Sequence, residues 1–223
     1  MTFSTQTHHA LRYVVEESYG VLPDPLSVSA LRHSGCDLNL TRASIESDEI
    51  RSDRQISHFF HGTEEVAGEI DFELCYGAFD EILAAALMSD WSGDQLESGS
   101  SLKSLALERA FSDVAQYQVY HGCAVDRLDL TVQPESLVGG RFSLKGRSLT
   151  LSDDPLSAVV SAAPATAPME AFKGSVSIDG APQGLIAGLD LRLENGLENT
   201  YALGSRSASA TLYGKSRISG ELT

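Results

Sequence analysis

Two histidines, His58 and His61, are three residues apart and flank a pair of phenylalanines. This spacing places both imidazoles on one face of a helix, where they would serve as zinc ligands if further ligands followed. No Cys pair and no Glu-x-x-His sequence completes such a set. We therefore interpret these histidines as hydrogen-bonded or exposed, and we expect the adjacent His8 and His9 to be solvated.

Other fragments of known motifs are incomplete. The tripeptide Gly-Lys-Ser at 214–216 matches the end of a phosphate-binding loop, but Ser209 stands where the first glycine is required, and the segment alternates like a strand. Asp90, Asp94 and Glu97 miss the spacing of an EF-hand loop. There is no Gly-x-Ser-x-Gly nucleophile elbow. We predict no catalytic residue, no metal site and no cofactor, and hence that the chain is not an enzyme.

An alternating segment between Glu64 and Cys75 carries four carboxylates. Apolar and acidic residues occupy opposite faces of the strand that this pattern predicts. The apolar face holds Val66, Ile70, Phe72 and Leu74, and the acidic face holds Glu65, Glu69, Asp71 and Glu73. Four like charges on one face need water or cationic partners. They indicate either an ordinary solvated face or a wall that faces a water-filled channel.

The run from 47 to 55 mixes charges of both signs around the single apolar residue Ile50. Its charged members are Asp48, Glu49, Arg51, Asp53 and Arg54. Such a run is poor core material, and it indicates either salt-bridged contact between copies of the chain or an exposed loop.

Composition limits the classes of function. The 223 residues are 42% hydrophobic and 21% charged, which is typical of a globular chain long enough for one large all-β domain or two small ones. The formal net charge is −15. Such acidity argues against binding to nucleic acid or to an anionic membrane, although it is compatible with a wall past which DNA slides.

The cysteine pattern and the lack of a recognisable targeting signal indicate a protein of the reducing cytosol. Cys36, Cys75 and Cys123 are far apart and form no Cys-x-x-Cys pair, so we expect free, mostly buried thiols. The sequence shows no signal peptide and no apolar run of membrane-spanning length.

The remaining pattern predicts a mainly β protein with one flanking helix at about residues 78–89. Phe79, Ile82, Leu83, Ala86 and Leu87 form an apolar stripe with helical spacing. Further alternation predicts strands near 128–133, 141–147, 175–178, 185–193 and 208–222. A parallel α/β sheet is not indicated, because helices and strands do not alternate along the chain.

Three segments lie outside this alternation. Residues 1–35 are polar and contain a Pro-x-Pro at 23–25, which predicts an N-terminal arm that contacts other subunits. The β-domain then spans 36–223. The stretch 152–168, rich in Ala, Pro and Ser, predicts a long loop or linker, and it leaves open one barrel or two β-lobes. The last strand pattern runs to Thr223, which suggests either a truncated product or a strand completed by a neighbour.

In their order and spacing, several short stretches resemble the phage tail tube protein family of siphophages and prophages. Each stretch is weak by itself, but together they cover nearly the whole chain. They are Tyr13, 16–20 and Pro23; 47–55; 68–70, 73–74, 76–77 and 79–80; 108–111; 121–123; 142–146; and 202–205.

The resemblance implies a tail-tube-type β-sandwich or barrel, with six copies per ring and rings stacked into a tube in the virion. It implies assembly in the host bacterial cytoplasm, and as partners the tape measure protein, the tail terminator and the distal tail or baseplate proteins. DNA would pass through the lumen without specific binding. Six copies at −15 would carry about −90 per ring, and the acidic strand face would line the channel. Arg141, Lys145 and Arg147 would then lie at subunit contacts.

Two other hypotheses are compatible with the residues. A tail terminator or baseplate hub ring would form single rings but no long tubes. A β-sandwich that binds a sugar or another small ligand would need a concave site with convergent polar or aromatic groups, for which one Trp and scattered aromatics give little support.

Overall fold

The computed structural model describes residues 9–53, 55–171, 176–178, 180–183 and 186–223. Within these ranges the chain is mainly β, with sixteen strands and one helix, α1 (Asp80–Ala86). In chain order the strands are β1 (Ala10–Val15), β2 (Val28–Leu31), β3 (Gly35–Cys36), β4 (Asn39–Glu46), β5 (Phe59–Glu73), β6 (Leu105–Phe111), β7 (Gln116–Val132), β8 (Gly139–Gly146), β9 (Ser148–Ser152), β10 (Val160–Ser161), β11 (Val176–Ile178), β12 (Ala181–Gln183), β13 (Leu189–Glu194), β14 (Glu198–Thr200), β15 (Ala210–Leu212) and β16 (Arg217–Leu222).

Twelve strands form one curled sheet. Its order is β10-β2-β1-β6-β7-β8-β5-β3, with β4 added to β5, β9 and β13 to β7, and β16 to β13. Every pairing in it is antiparallel except that of β10 with β2. This single sheet fits one barrel-like domain with an excursion better than two β-lobes. The pairs β11–β12 and β14–β15 form two small separate hairpins.

The curl originates in β7, which has 17 residues. Its first half pairs with β6 and β9, and its second half pairs with β8 and β13. Between them Gly122 has φ +65°, and a Cβ there would lie 2.8 Å from Arg147 Cβ and 2.9 Å from Tyr19 Cε2. A register shift follows between Val125 and Arg127. A bulge and a left-handed glycine bend a strand locally, so one strand serves two differently oriented halves of a half-barrel.

The core lies inside this curl. Phe142 stacks on Phe72 with ring centroids 4.4 Å apart, and Phe79 lies 4.6 Å from Phe72. The predicted apolar face of β5 is confirmed, since Val66, Ile70 and Phe72 are all buried.

The predicted helix is confirmed, although it is shorter than 78–89. Ile82 and Ala86 of the apolar stripe are buried, but so are Ala84 and Ala85. The helix is therefore enclosed on more sides than a surface helix, because the alanines let the curled sheet approach closely. The Asn195 amide donates to Ala86 O at 2.8 Å and to Val125 O at 2.9 Å, which ties the helix end to β7.

The prediction of an arm over residues 1–35 is wrong for the part that the structure describes from Ala10 onward. Strand β1 pairs with both β2 and β6, and Leu11, Val14, Val28 and Leu31 are at most 4% exposed. Pro23 and Pro25 lie in the connection between the two strands, where no ladder hydrogen bond is needed. Residues 1–8 lie outside the described ranges.

The stretch 152–168 is a long excursion that is fastened to the body and is not a linker. Its strand β10 pairs with β2, and the buried Glu108 carboxylate accepts from Leu156 N at 2.5 Å. Arg32 Nη1 donates to Thr166 O at 2.5 Å. The alternation predicted over 208–222 is divided into β15 and β16, because a loop containing Gly214 interrupts it.

Candidate assembly surfaces

The predicted acidic residues lie on one face of β5, and the sheet places basic residues beside them. Neighbouring strands align Asp71 with Arg141, Arg141 with Asp129, and Asp129 with Arg192. Side chains directly opposite on adjacent strands share a face and are close enough to form ion pairs. The sheet therefore carries a row of alternating charge across β5, β8, β7 and β13.

These charges are joined by short contacts. Arg141 binds Asp71 at 2.6 Å and Glu69 at 2.9 Å, while Arg127 binds Glu69 at 3.0 Å and Asp129 at 2.9 Å. Arg192 binds Asp129 at 2.6 Å. We call these six residues the charge ladder. It holds three cations and three carboxylates, so Glu69 and Asp71 are compensated within the chain.

The ladder also affects protonation. The hydrogen bond from Arg141 to Asp71, with the charges of Asp71 and Glu69, raises the pKa of the Arg141 guanidinium. The hydrogen bond to Asp129 likewise raises the pKa of Arg192. Arg141 and Arg192 are therefore held in their charged form by the carboxylates that they contact.

The remaining acidity of this face is found beyond the ladder. Glu65 and Glu73 are exposed at the two ends of the predicted row. Near Glu73, Asp190 and Glu221 line a depression of about 840 Å³ that also includes ladder residues. The face is thus neutral along its middle and acidic at its ends.

The three basic residues predicted at subunit contacts all have partners within the chain. Arg141 belongs to the ladder. Lys145 Nζ donates to Leu197 O at 2.6 Å and lies 3.3 Å from Asp126 Oδ2. The Arg147 guanidinium lies over the Tyr19 ring, 5.9 Å from its centroid, and donates to Tyr19 O at 3.4 Å. Their role between subunits stays a prediction.

A projecting hairpin forms a second surface. It consists of β4, the loop 47–58 and residues 59–65 of β5, which pair with β4 but not with β8. The predicted charged run lies in its loop, where Asp48 and Glu49 are exposed and Arg51 donates to Asp53 through Nε at 3.0 Å and Nη2 at 2.6 Å. Arg54 lies outside the described residues.

Sequence reasoning missed the apolar residues of this hairpin. The large exposed ones are Ile45, Ile50, Ile56, Phe59 and Phe60, with Ile50 99% exposed and Phe60 60% exposed. The sequence signal for them was the pair Phe59 and Phe60. Adjacent residues of a strand point to opposite faces, and this end of β5 pairs with β4 and not with β8, so the sheet does not bury both rings. Large apolar side chains concentrated on one hairpin mark an interaction site.

A third surface is the outer edge of β16. All six of its residues are exposed, including Ile218 and Leu222, and the structure pairs this strand only with β13 among the described strands. An uncovered edge strand presents backbone donors and acceptors to another chain.

The fold does not bring the candidate metal ligands of the sequence together among the described residues. In the described ranges there is no group of three or more His, Cys, Asp or Glu residues placed to hold a metal ion. His58 and His61 lie on the projecting hairpin, and the His61 ring meets the Phe59 ring edge-on at 5.5 Å. His9 is not simply solvated as expected, since its Nε2 lies 3.2 Å from His33 Nε2.

The cysteines match a further expectation in part. The thiols of Cys36, Cys75 and Cys123 are free, the last two are buried, and burial raises the pKa of Cys123 well above its ordinary value. The helix found among the described residues is neither long nor apolar enough to cross a membrane.

These surfaces belong to a mainly β protein with an exposed apolar hairpin and an exposed edge strand. The sequence matches the model of the phage tail tube protein family over residues 7–223, and the chain belongs to that family. The family is one of structural proteins of the viral tail and not of enzymes. The match confirms the resemblance drawn from the sequence.

Comparison with solved structures gives weaker likenesses. A chain of the PVC sheath–tube complex, from an extracellular contractile injection system, aligns with a TM-score of 0.40 and 8% identity over 64% of this chain and 87% of that chain. A chain of the PVC sheath/tube terminator aligns with a TM-score of 0.41 and 9% identity over 64% of this chain and 92% of that chain. A chain of the tube-terminating cap of the anti-feeding prophage aligns with a TM-score of 0.41 and 8% identity over 68% of this chain and 92% of that chain. A sequence comparison with curated proteins gives no match.

Proposed function

We propose that this chain assembles into hexameric rings that stack into the tail tube of a phage virion. The observation that carries the proposal is the projecting hairpin, whose five large apolar side chains are exposed in the single chain. Family membership supplies the kind of assembly in which they would be covered.

The hairpin is the proposed contact to the next subunit. Burial of apolar surface contributes roughly 25 cal/mol per Å², so covering Phe59, Phe60 and the isoleucines is a sizeable driving force for association. The charged loop residues Asp48, Glu49, Arg51, Asp53 and Arg54 would surround this contact as a polar rim. The edge of β16 offers a second contact through strand addition from a neighbouring copy. The N-terminal segment, residues 1–35, stays a proposed contact to neighbouring rings.

The charge-ladder face is the proposed lumen wall. Glu65 and Glu73 would repel DNA phosphates at its ends, while the compensated ladder keeps the middle of the wall polar without a cation free to bind DNA. Lys145 and Arg147 stay proposed subunit contacts, with exchange of partners on assembly, and Arg141 stays a proposed subunit contact that keeps its carboxylate partners in the ladder. The tape measure protein inside the tube, the terminator and the baseplate are the proposed partners, and the host cytoplasm is the proposed place of assembly.

The central test is electron microscopy of the purified chain over a concentration series. We expect hollow tubes or stacked six-fold rings. In the variant Phe59→Asp/Phe60→Asp, the assembly threshold should rise by at least about tenfold, because each charge would have to be desolvated at the contact.

The matched control for that test is His58→Asp/His61→Asp, which places the same charges on the same hairpin without removing apolar area. Assembly of the phenylalanine variant at the wild-type threshold would contradict the hairpin contact. Single rings that never stack would favour a tail terminator or hub ring.

The lumen proposal is tested by reversing the two uncompensated carboxylates, Glu65→Lys/Glu73→Lys. Glu69 is unsuitable, because a lysine there would stand beside Arg127 and Arg141 and disrupt the ladder. We expect tubes to form but DNA ejection from assembled phage to slow, since the new cations would hold phosphates. Glu97→Lys, in the exposed loop between α1 and β6, is the control. Ejection at the wild-type rate from the double variant would exclude a lumenal β5.

A further inference from the structure

One dipeptide of the chain, Asn195–Gly196, is chemically labile. The other two asparagines, Asn39 and Asn199, are not followed by glycine. Asparagine is a thermolabile residue, because the backbone nitrogen of the next residue can attack its side-chain amide carbon. A following glycine hinders this attack least, since it has no side chain. Asn195 is therefore the asparagine of this chain that deamidates most readily when the chain is unfolded.

The fold nevertheless uses an asparagine at position 195. The residue follows the end of β13 and is 3% exposed. Its side-chain amide donates to two carbonyls, Ala86 O at 2.8 Å and Val125 O at 2.9 Å. Of the side chains of this size and shape, only the amide offers two N–H donors without a charge. The amide group thus holds the end of α1 against β7.

The glycine that follows is required as well. Gly196 has φ +59°, in the left-handed region that favours glycine. Its carbonyl accepts from Gly214 N at 3.2 Å. This conformation turns the chain from β13 into β14. The fold therefore needs both members of the labile dipeptide at the point where β13 ends.

The folded chain holds the dipeptide in an unreactive arrangement. Asn195 N donates to Asp126 O at 2.8 Å, and Asn195 O accepts from Gly214 N at 3.0 Å, so the backbone is fixed on both sides. Cyclisation would detach the side-chain amide nitrogen from its two carbonyls and leave buried polar groups without partners, which is costly. The burial of Asn195 also keeps out the water that the reaction consumes. Deamidation in the folded chain therefore has to wait for the site to open.

We propose that Asn195 is a site of spontaneous deamidation that reacts in the unfolded chain and is protected in the folded chain, so that the reaction marks chains that fail to fold. The Gly196 nitrogen forms a bond to Asn195 Cγ, the Cγ–Nδ2 bond breaks, and the amide nitrogen leaves as ammonia with the proton of the Gly196 nitrogen. Water then opens the cyclic imide to aspartate or isoaspartate. The net reaction consumes one water and releases one ammonia. The proposal is independent of tube assembly.

The product does not fit the place that the amide occupied. An ionised carboxylate only accepts hydrogen bonds, so an aspartate would face Ala86 O and Val125 O without a donor. A buried carboxylate without a partner is strongly unfavourable. Isoaspartate adds one atom to the main chain and so also displaces Gly196 from its turn. A chain that deamidates before it folds is therefore excluded from the folded population.

The first test compares the folded full chain with the same chain unfolded in guanidinium chloride, both at pH 7.5. Trypsin cleaves after Arg192 and Arg206, and the peptide between them contains both Asn195 and Asn199. Mass spectrometry of this peptide gives the rate at each asparagine, so Asn199 is an internal control. In the unfolded chain Asn195 should react faster than Asn199. In the folded chain its rate should fall by at least about a hundredfold, because the open state is rarely populated.

The second test uses Asn195→Asp, which reproduces one product without incubation. Its folding equilibrium constant, from a guanidinium titration below the assembly concentration, should fall by at least about tenfold, because two hydrogen bonds of a buried group are lost. Asn39→Asp is the matched control, since it adds the same charge at an exposed residue and keeps the oxygen that accepts from Leu40 N.

Three results would overturn the proposal. The first is an Asn195 that reacts as fast in the folded chain as in the unfolded chain, and the second is an Asn195 that reacts no faster than Asn199 in the unfolded chain. The third is an Asn195→Asp chain that is as stable as the Asn39→Asp chain. An Asn195→Asp chain that does not fold at all supports the exclusion of the product, and the rates in the wild-type chain then test the protection by themselves.

Discussion

The two halves of β5 differ in the way that their side chains are covered. In residues 66–73 the strand lies between β8 and the strands on its other side, so Val66, Ile70 and Phe72 are buried while the opposite face carries the charge ladder. In residues 59–65 only β4 is paired, and Phe59 and Phe60 are both more than half exposed although they point to opposite faces.

This difference shows that contacts within one chain bury the apolar side chains of only the inner half of β5. The inner half is satisfied by its own sheet, with apolar groups inside and compensated charges outside. The outer half exposes apolar area in the part of the chain that the structure describes, and this exposure does not stabilise the fold of the single chain. This exposed apolar area is what the proposed contact with a second chain would cover.

The sharpest test of the comparison is truncation of one phenylalanine in each half. Phe72→Ala should lower the free energy of unfolding by about 3–5 kcal/mol, because it leaves a cavity against Phe79 and Phe142. Phe60→Ala, its matched control, should change the free energy of unfolding of the monomer by less than about 0.5 kcal/mol. Urea denaturation at a concentration below assembly measures both values, and equal losses would mean that the hairpin is part of the monomer core.

A smaller effect is expected from the charge ladder of the inner half. A double-mutant cycle with Glu69→Gln and Arg141→Gln should give a coupling energy of about 0.2–1 kcal/mol, because both side chains are partly exposed and water screens the pair. The coupling should shrink in high salt. A coupling that is larger and independent of salt would show that this face is not open to solvent in the single chain.

The smallest effect is the dependence of stability on pH from two half-buried histidines. Burial lowers the pKa of His33 and of His121 below 6.5. The unfolded chain then takes up protons at a higher pH than the folded chain does, so the free energy of unfolding decreases as the pH falls from 6.5 through the lowered values. Above 6.5 these groups make no contribution to the slope.

Urea midpoints between pH 7.5 and pH 5.5 measure that slope. His33→Asn and His121→Asn should each reduce it, whereas His61→Asn, on the projecting hairpin, is the control that should leave it intact. A midpoint that stays constant over this range would show that the two imidazoles are not shielded from water.

The local pattern was sufficient for the inner half of β5 and for α1. Alternation at period two and an apolar stripe at helical spacing are properties of neighbouring residues, and the burial of Val66 and Ile82 follows from them directly. The same reasoning was wrong for residues 10–31. Two prolines were taken to exclude strand pairing there, although they lie in a connection, and four buried residues around them hold β1 and β2 in the sheet.

The charge ladder could not be predicted from the sequence, for a different reason. It joins β5, β8, β7 and β13, strands that are up to about 120 residues apart in the chain, and its contacts depend on the bulge between Val125 and Arg127. The acidic residues were recognised, but of their arginine partners only Arg141 was singled out, and it was assigned to a subunit contact. The apolar side chains of the hairpin were not predicted, because charged residues outnumber apolar ones in its loop.

The sequence by itself determined the class of the protein: the mainly β composition, the single helix, the acidity, the lack of a catalytic set and the family that the whole chain matches. These properties are local or additive, so they can be read without knowing which strands meet. Only the tertiary structure decided which strands pair, that the acidic row is half compensated, and that residues 10–31 contribute two strands to the sheet. It also decided that, among the described residues, the apolar side chains of one hairpin are exposed. Register and curvature arise from contacts between residues distant in the chain, and for that reason the pattern along the chain does not contain them.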